Sequence, residues 1–181
     1  YLIKLDSQTL KAIPNVRFEF KQVGGSYRQE FLTDQNGEID ISKLEPAAYE
    51  VRELEGPPGY LMDDSVRIVQ VNPDENASFV FTNTRKPSLV IVKYDPNTGK
   101  YLAGATFRIA RVEDGSHYLD RVSGTDGRIV IEDLEPGVFS VQELEAPSGY
   151  VKNDTEYHVE LFPGRESQLV VNNEAKPDLK I

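Results

Sequence analysis

One stretch occurs twice in the chain, about 90 residues apart, and it constrains the fold more than any other feature. In residues 51–60 and again in 141–150, an alternating run carries a Glu and then breaks at a Pro/Gly turn that ends in Tyr. Alternation with a period of two is typical of a β-strand with one buried face. On that face lie Tyr49, Val51 and Glu53, and in the second copy Phe139, Val141 and Glu143. A carboxyl group that faces a core is costly unless it is paired, so the pattern predicts a buried partner.

The repeat extends along the whole chain. Matching segments are Lys4-Leu5-Asp6 with Lys93-Tyr94-Asp95, Leu44-Glu45-Pro46 with Leu134-Glu135-Pro136, and Asn83 with Asn173. We therefore predict two tandem domains, residues 1–86 and 87–176, with 177–181 as the start of a further repeat.

The composition excludes several classes of function. The 181 residues carry Lys+Arg 20 against Asp+Glu 30, a formal net charge of −10, which argues against nucleic acid as a partner and leaves no basic patch for an anionic membrane. The absence of Cys excludes disulfides, and with two His we expect no metal site and no cofactor. Domains of about 90 residues without disulfides need another stabilising device. No signal peptide or membrane span is recognisable, which predicts an excerpt from a longer protein.

Within each copy, the signals are those of short strands and turns. No window sustains a helical period, and about seven strand candidates per copy are separated by Gly-, Pro- and Asp-containing turns. This pattern predicts an all-β protein made of two β-sandwiches. If the copies are joined end to end, the first and last strands of each must run in the same direction.

Two further polar residues share the buried faces with the Glu. By strand parity, Lys4 follows Leu2 on the face of the first strand, and Asn83 follows Phe81 on the face of the last strand. The equivalent second-copy residues are Lys93, Glu143 and Asn173. Each copy therefore places a Lys, a Glu and an Asn at the ends of three apolar stripes.

This trio has two interpretations. The first is a buried Lys–Glu ion pair with Asn as a hydrogen-bond partner, an arrangement that often contributes little net stability. The second is covalent. Burial lowers the pKa of a lysine and raises that of a glutamate, so that the amine becomes a nucleophile and the acid can polarise the Asn carboxamide. The product of that reaction is a Lys–Asn isopeptide cross-link.

The motifs around these residues resemble a known family. Val-x-Lys-x-Asp, Leu-x-Gly-Ala-x-Phe, Thr-Asp-x-Gly, Glu-x-x-Ala-Pro-x-Gly-Tyr and a final apolar-x-Asn are together similar to the Cna protein B-type (SpaA-like, prealbumin-fold) domain. The resemblance implies an inverse immunoglobulin-like sandwich that serves as a stalk module in cell-wall-anchored adhesins and pilins of Gram-positive bacteria. It also implies a spontaneous isopeptide bond in each copy: Lys4 to Asn83 assisted by Glu53, and Lys93 to Asn173 assisted by Glu143.

The first copy departs from this pattern at several turn and packing positions. Leu10 stands at the place of Gly99, Pro14-Asn15 replace Ala103-Gly104, Ala47 replaces Gly137, and Gly56 replaces Ala146. We expect the fold to tolerate these changes, whereas the reactive geometry of the first copy is less determined. Glu55 and Glu145 share the parity of the favoured Glu residues. We expect the strand to end before them, and the family match, not parity alone, selects against them.

Other candidate sites have simpler explanations. Asp95-x-Asn97-x-Gly99 is similar to the start of a calcium loop, but the later acidic ligands are missing and a turn is favoured. The pairs Asp63-Asp64 and Glu53/Glu55 lack the arrangement of a glycosidase site across a cleft. Tyr27, Tyr60, Tyr118 and Tyr150 are more simply packing residues than a ligand surface, and His117 and His158 are expected at the surface.

Two functions follow as hypotheses. The first is a structural stalk whose partners are neighbouring repeats of the same polypeptide, outside the cell and anchored to the wall. The alternative is an adhesive module that binds a host extracellular ligand through the loops 23–27 and 113–118, which differ most between the copies. An enzyme is not expected, because a cross-link consumes its own nucleophile.

Overall fold

The computed structural model describes residues 1–73, 77–115 and 117–177, with the side chains of 117 and 118 left out. The chain divides into two compact units, Tyr1–Arg85 and Lys86–Ile181. Apart from Pro177, the predicted start of a further repeat lies outside the described residues, and the predicted domain limits stay predictions.

The first unit is a sandwich of two sheets. Its strands are β1 (Leu2–Asp6), β2 (Arg17–Gln22), β3 (Arg28–Leu32), β4 (Glu38–Ile39), β5 (Ala47–Glu55), β6 (Val66–Val71) and β7 (Phe79–Asn83). One sheet has the order β4-β1-β7 and the other β3-β2-β5-β6. Phe18, Phe20, Val51 and Phe81 are among the buried side chains between them.

The second unit repeats this architecture. Its strands are β8 (Ser88–Asp95), β9 (Lys100–Tyr101), β10 (Thr106–Arg111), β11 (His117–Val122), β12 (Arg128–Ile131), β13 (Gly137–Glu145), β14 (Glu156–Leu161) and β15 (Glu166–Asn172). One sheet has the order β12-β8-β15, with β9 paired to β8, and the other has the order β11-β10-β13-β14. Ile91, Phe107, Val141 and Val171 belong to its buried core.

The structure confirms the predicted all-β class, and the described residues contain no helix that could cross a membrane. It also confirms the predicted direction of the terminal strands, because β1 pairs in parallel with β7 and β8 with β15. The register sets Asp6 opposite Asn83. Lys4 therefore lies only two residues before the position that pairs with Asn83.

Candidate functional site: two buried Lys–Glu–Asn clusters

The structure brings the three predicted residues of each copy together inside its sandwich. In the first unit, Lys4 lies on β1, Glu53 on β5 and Asn83 at the end of β7. Because β5 belongs to the opposite sheet, the Glu side chain meets the other two across the core. In the second unit the residues are Lys93 on β8, Glu143 on β13 and Asn173 directly after β15. All six are exposed by 3% or less.

In the second unit, the amine and the carboxamide are in direct contact. Lys93 Nζ donates a hydrogen bond to Asn173 Oδ1 and lies 3.0 Å from Glu143 Oε1. Asn173 Nδ2 lies 3.2 Å from Glu143 Oε1 and 3.1 Å from Oε2. The backbone N–H of Asn153 donates to Glu143 Oε2 at 2.7 Å and so orients the carboxyl group. The amine, the carboxyl group and the carboxamide thus form a closed triangle of contacts.

In the first unit, the Glu joins the other two groups. Lys4 Nζ donates to Glu53 Oε2 at 2.7 Å, and Asn83 Nδ2 donates to Glu53 Oε1 at 2.8 Å. Asn83 Nδ2 also donates to the backbone oxygen of Leu61 at 2.9 Å. Among the described residues, the buried Asn83 Oδ1 has no hydrogen-bond partner. The triangle is therefore open on its Lys–Asn side.

Burial changes the proton affinity of both lysines. Desolvation lowers the pKa of Lys4 and of Lys93, although the neighbouring Glu in each case opposes the shift. The amines also lie 5.3 Å from the ring centre of Phe18 and 5.4 Å from that of Phe107. Desolvation favours the neutral, nucleophilic amine, whereas the ring faces favour the charged form.

Sequence reasoning missed a second buried carboxylate beside each trio. Asp6 and Asp95 are exposed by 1% or less and follow the lysines by two residues on the same strand face. The hydroxyl of Tyr60 donates to Asp6 Oδ2 at 2.9 Å, and that of Tyr150 donates to Asp95 Oδ2 at 3.2 Å. The signal was in the sequence, because the parity that selects each Lys selects the Asp as well.

A family model identifies the fold. The "SpaA: Prealbumin-like fold domain" matches residues 1–85 and again residues 87–175. The chain belongs to the SpaA prealbumin-like fold family. The resemblance read from the motifs is thereby confirmed for both SpaA domains, hereafter domain 1 and domain 2. No significant match was found among curated protein sequences.

Several solved structures resemble the pair of SpaA domains. The Bacillus anthracis TIE protein is 26% identical with a TM-score of 0.51, over 96% of this chain and 33% of that one. A streptococcal ancillary pilin is 27% identical with a TM-score of 0.47, over 98% and 62%. The shaft pilin spaA from Lactobacillus rhamnosus GG shares the fold at 16% identity and a TM-score of 0.53, over 99% and 98%. The chain thus spans less than two thirds of the first two.

The remaining candidates are placed as packing and surface residues. Asp95 Oδ1 accepts hydrogen bonds from the backbone of Asn97 and Thr98, which confirms the turn there. Asp63 pairs with Arg67 at 3.0 Å, and His158 is exposed. Tyr27 packs edge-to-face on Tyr49. Glu55 and Glu145 are exposed, but β5 and β13 extend through them, so the expected end of each strand before them is wrong. The side chains of His117 and Tyr118 lie outside the described residues. Within the described part of the chain, no group of three His, Cys, Asp or Glu residues could hold a metal ion.

Proposed function

We propose that the two SpaA domains are stalk modules of a Gram-positive surface protein, each locked by an intramolecular isopeptide bond. The bonds join Lys4 to Asn83 and Lys93 to Asn173. The observation that carries the proposal is the contact of the buried Lys93 amine with the Asn173 carboxamide, beside the buried Glu143.

The reaction is a single transamidation. The neutral Lys93 Nζ attacks Asn173 Cγ, the Cγ–Nδ2 bond breaks, and ammonia leaves. The amine loses one proton and the departing nitrogen gains one, so the reaction needs no oxidant and no added reactant. Contact within a rigid core gives the pair the high effective molarity of an oriented intramolecular reaction.

Glu143 carries the proton in this scheme. One of its oxygens lies 3.0 Å from the amine, and both lie within 3.2 Å of Asn173 Nδ2. The carboxyl group can therefore accept a proton from the attacking nitrogen and deliver it to the leaving one. Glu53 has the same two contacts in domain 1, at 2.7 and 2.8 Å. Each site reacts once, so the protein has no turnover as an enzyme.

The strand topology supports a load-bearing role. Because β1 and β7 run parallel, the chain enters and leaves domain 1 at opposite ends of one sheet. A Lys4–Asn83 bond would connect the first strand to the last, and a pulling force would bypass nearly all residues between them. The same holds for β8 and β15 in domain 2. On this proposal the partners are neighbouring repeats of one polypeptide. The protein lies outside the cell and is anchored to the cell wall.

The adhesive alternative stays a prediction. Residues 23–27 connect β2 and β3, and the equivalent loop 113–118 is only partly described. No described contact of either loop favours ligand binding. Exchanging the two loops would abolish binding to a host ligand if the domains are adhesive, and would leave a stalk unaffected.

Intact mass under denaturing conditions tests the bonds. We expect the wild-type chain to weigh less than its sequence by two ammonia molecules, and digestion to yield peptides that join Lys4 to Asn83 and Lys93 to Asn173. Lys4→Ala and Lys93→Ala should each restore one ammonia. A wild-type chain of full sequence mass would overturn the proposal.

A further inference from the structure

We propose that Asp95 with Tyr150, and Asp6 with Tyr60, are positioning residues for the cross-linking reaction. This inference rests on the proposed isopeptide bonds. Neither Asp shares a hydrogen bond with the reactive side chains. Each acts instead through the three backbone segments that carry the Lys, the Glu and the Asn.

In domain 2, Asp95 joins two turns at one buried point. Its Oδ1 accepts from the backbone N–H groups of Asn97 at 2.9 Å and Thr98 at 3.3 Å. Its Oδ2 accepts from the hydroxyl of Thr98 at 2.7 Å and from that of Tyr150 at 3.2 Å. These four donors engage both oxygens, so the carboxylate has its own partners and is not a spare acid for the reaction.

Short covalent segments connect this point to all three reactive residues. Lys93 precedes Asp95 by two residues on β8. Tyr150 lies seven residues beyond Glu143, past the Pro/Gly turn. The backbone of Tyr150 also bridges to Ala175, two residues beyond Asn173, and Val151 N–H donates to the oxygen of Glu174 at 2.9 Å. The Asp95–Tyr150 hydrogen bond and these backbone contacts therefore connect the segments that carry the Lys, the Glu and the Asn. We call this set of contacts the Asp–Tyr frame.

The frame matters because the reaction depends on small distances. A displacement of about 1 Å between oriented reactants can cost roughly a hundredfold in rate. Without the Tyr150 hydroxyl, the turn after β13 loses its link to Asp95, and the Glu segment can shift relative to the Lys. The Asn segment keeps its backbone hydrogen bond to β8, from Asn173 N–H to the oxygen of Tyr94 at 3.1 Å. The core packing of the domain is unaffected by this change.

Domain 1 contains the same frame with additional links. Asp6 Oδ2 accepts from Tyr60 at 2.9 Å and also from Arg85 Nε at 2.8 Å. Because Arg85 lies two residues beyond Asn83, it connects the Asn segment to Asp6 independently of Tyr60. Ser7 N–H also donates to the Asn83 oxygen at 2.9 Å. Domain 2 has Ala175 at the position of Arg85, and alanine has no side-chain donor. It has Pro96 at the position of Ser7, and proline has no backbone N–H to donate.

The test is the rate of bond formation in newly made chains. The full chain is produced by cell-free translation, samples are denatured at intervals, and the fraction of each cross-linked peptide is measured by mass spectrometry. A short protease pulse before denaturation removes unfolded chains, so that the rate refers to folded protein. We expect Tyr150→Phe to slow the Lys93–Asn173 bond about tenfold. The Lys4–Asn83 bond of the same molecule serves as an internal control and should form at the wild-type rate.

Two matched variants separate positioning from stability. Tyr94→Phe removes a hydroxyl from the reacting strand beside Lys93, where Tyr94 packs on Tyr101 instead of meeting Asp95, and should leave the rate unchanged. Tyr150→Phe in an unlinkable Glu143→Ala chain measures the folded fraction without any bond. If that fraction stays high while the rate falls, unfolding is excluded as the cause.

The extra links of domain 1 give a graded expectation. Tyr60→Phe should slow the Lys4–Asn83 bond less than Tyr150→Phe slows its counterpart, because Arg85 still holds Asp6. Adding Arg85→Ala to Tyr60→Phe should bring the slowing to about tenfold. A wild-type rate in Tyr150→Phe would overturn the positioning role while leaving the isopeptide proposal intact. A wild-type chain that never loses ammonia would overturn both.

Discussion

The two clusters contain the same three residue types on equivalent strands, yet their contacts differ. In domain 2, Lys93 contacts the Asn173 carboxamide directly, and the N–H of Asn153 orients Glu143. In domain 1, Lys4 donates to Glu53, and the Asn83 carboxamide is held by Glu53 and the oxygen of Leu61. The same three residue types on one fold therefore make different hydrogen bonds in the two domains.

The two domains also differ in the residues in and after the loop that follows the Gly-Tyr turn. Domain 1 has the charged pair Asp63–Arg67 there, with Arg67 4.6 Å from the ring centre of Phe81. Domain 2 has the uncharged Asn153 at the position of Asp63, and its side chain donates to Tyr157 at 3.0 Å. Burial lowers the pKa of Lys4, but Glu53 and Asp63 both oppose this, and Arg67 favours it. Asp63 and Arg67 thus have smaller and opposing effects on the pKa of Lys4, after desolvation and Glu53.

The largest expected effect comes from removing the Glu. We expect Glu53→Ala and Glu143→Ala each to leave its own domain unlinked, because no other group bridges the amine and the carboxamide as a proton carrier. Loss of a cross-link that closes a loop of about 80 residues should lower the free energy of unfolding of that domain by about 4 kcal/mol. Calorimetry should show the affected transition falling by roughly 15–30 °C.

The matched controls lie two residues along the same strands. Glu55→Ala and Glu145→Ala remove exposed carboxylates of the same parity and should change neither the mass nor the melting transition. A linked domain in Glu143→Ala would remove Glu143 from the mechanism. A loss of linkage in Glu145→Ala would mean that the buried Glu is the wrong residue of the two.

The second prediction concerns the relative rates of the two domains. We expect the domain 2 bond to form faster by roughly fivefold, since a direct amine–carboxamide hydrogen bond contributes about 1 kcal/mol toward the reactive arrangement. Asp63→Asn combined with Arg67→Tyr should accelerate domain 1 toward the domain 2 rate. The reciprocal exchange, Asn153→Asp with Tyr157→Arg, should slow domain 2. Timed mass spectrometry of both cross-linked peptides measures each rate in one molecule, and equal wild-type rates would contradict this comparison.

Much of the fold and the positions of the trio could be predicted from the sequence because burial imposes a strict period of two on each strand. That rule places Lys4, Glu53 and Asn83 on inward faces without any coordinates. It fails for β11 (His117–Val122), an edge strand whose sequence shows no clean alternation and whose pairing with β10 is made by the backbone.

The contacts within the site could not be predicted in the same way. In domain 2 the backbone N–H of Asn153 contacts the trio, and in domain 1 the backbone oxygen of Leu61 does. Both contacts depend on the path of a loop, and loop paths leave no periodic signal in the sequence. The Asp–Tyr frame joins residues more than 50 positions apart, so its pairing became evident only in three dimensions.

A third prediction uses one turn that differs between the domains. Leu10 adopts a φ of 56°, and Gly99 at the equivalent position adopts 71°. A non-glycine residue in this left-handed region costs about 1 kcal/mol, part of which is offset by the flexibility that glycine adds to the unfolded chain. We expect Leu10→Gly to stabilise domain 1 by about 0.5 kcal/mol, because Leu10 is 67% exposed and loses little packing.

The reciprocal change completes this test. A Cβ at Gly99 would meet only the Tyr94 hydroxyl, at 3.9 Å, so Gly99→Leu should introduce backbone strain without a steric clash. We expect it to destabilise domain 2 by about as much as Leu10→Gly stabilises domain 1. Urea unfolding in the Glu53→Ala/Glu143→Ala chain measures both changes, and a destabilised Leu10→Gly variant would show that the Leu side chain contributes more than its exposure indicates.

The smallest expected effect concerns Arg85, which has Ala175 as its counterpart. Arg85→Ala should destabilise unlinked domain 1 by less than about 0.5 kcal/mol, because the guanidinium is 54% exposed although Asp6 is fully buried. Burial alone would raise the pKa of Asp6, but hydrogen bonds from Thr9, Arg85, Gln8 and Tyr60 hold it well below its usual range. A depressed carboxyl pKa stabilises the fold above the unfolded pKa of about 3.9, and that stability is lost as the pH falls through the folded value. Because the unfolded pKa is common to both proteins, the difference between wild type and Arg85→Ala should be constant from pH 7 to about 4. It should shrink only as the pH falls through the depressed pKa of Asp6 in the two folded proteins. Ala175→Arg should confer the same acid-sensitive increment on domain 2, whereas an increment that persists once Asp95 is protonated in the folded state would show that packing of the Arg stem, and not its charge, is responsible.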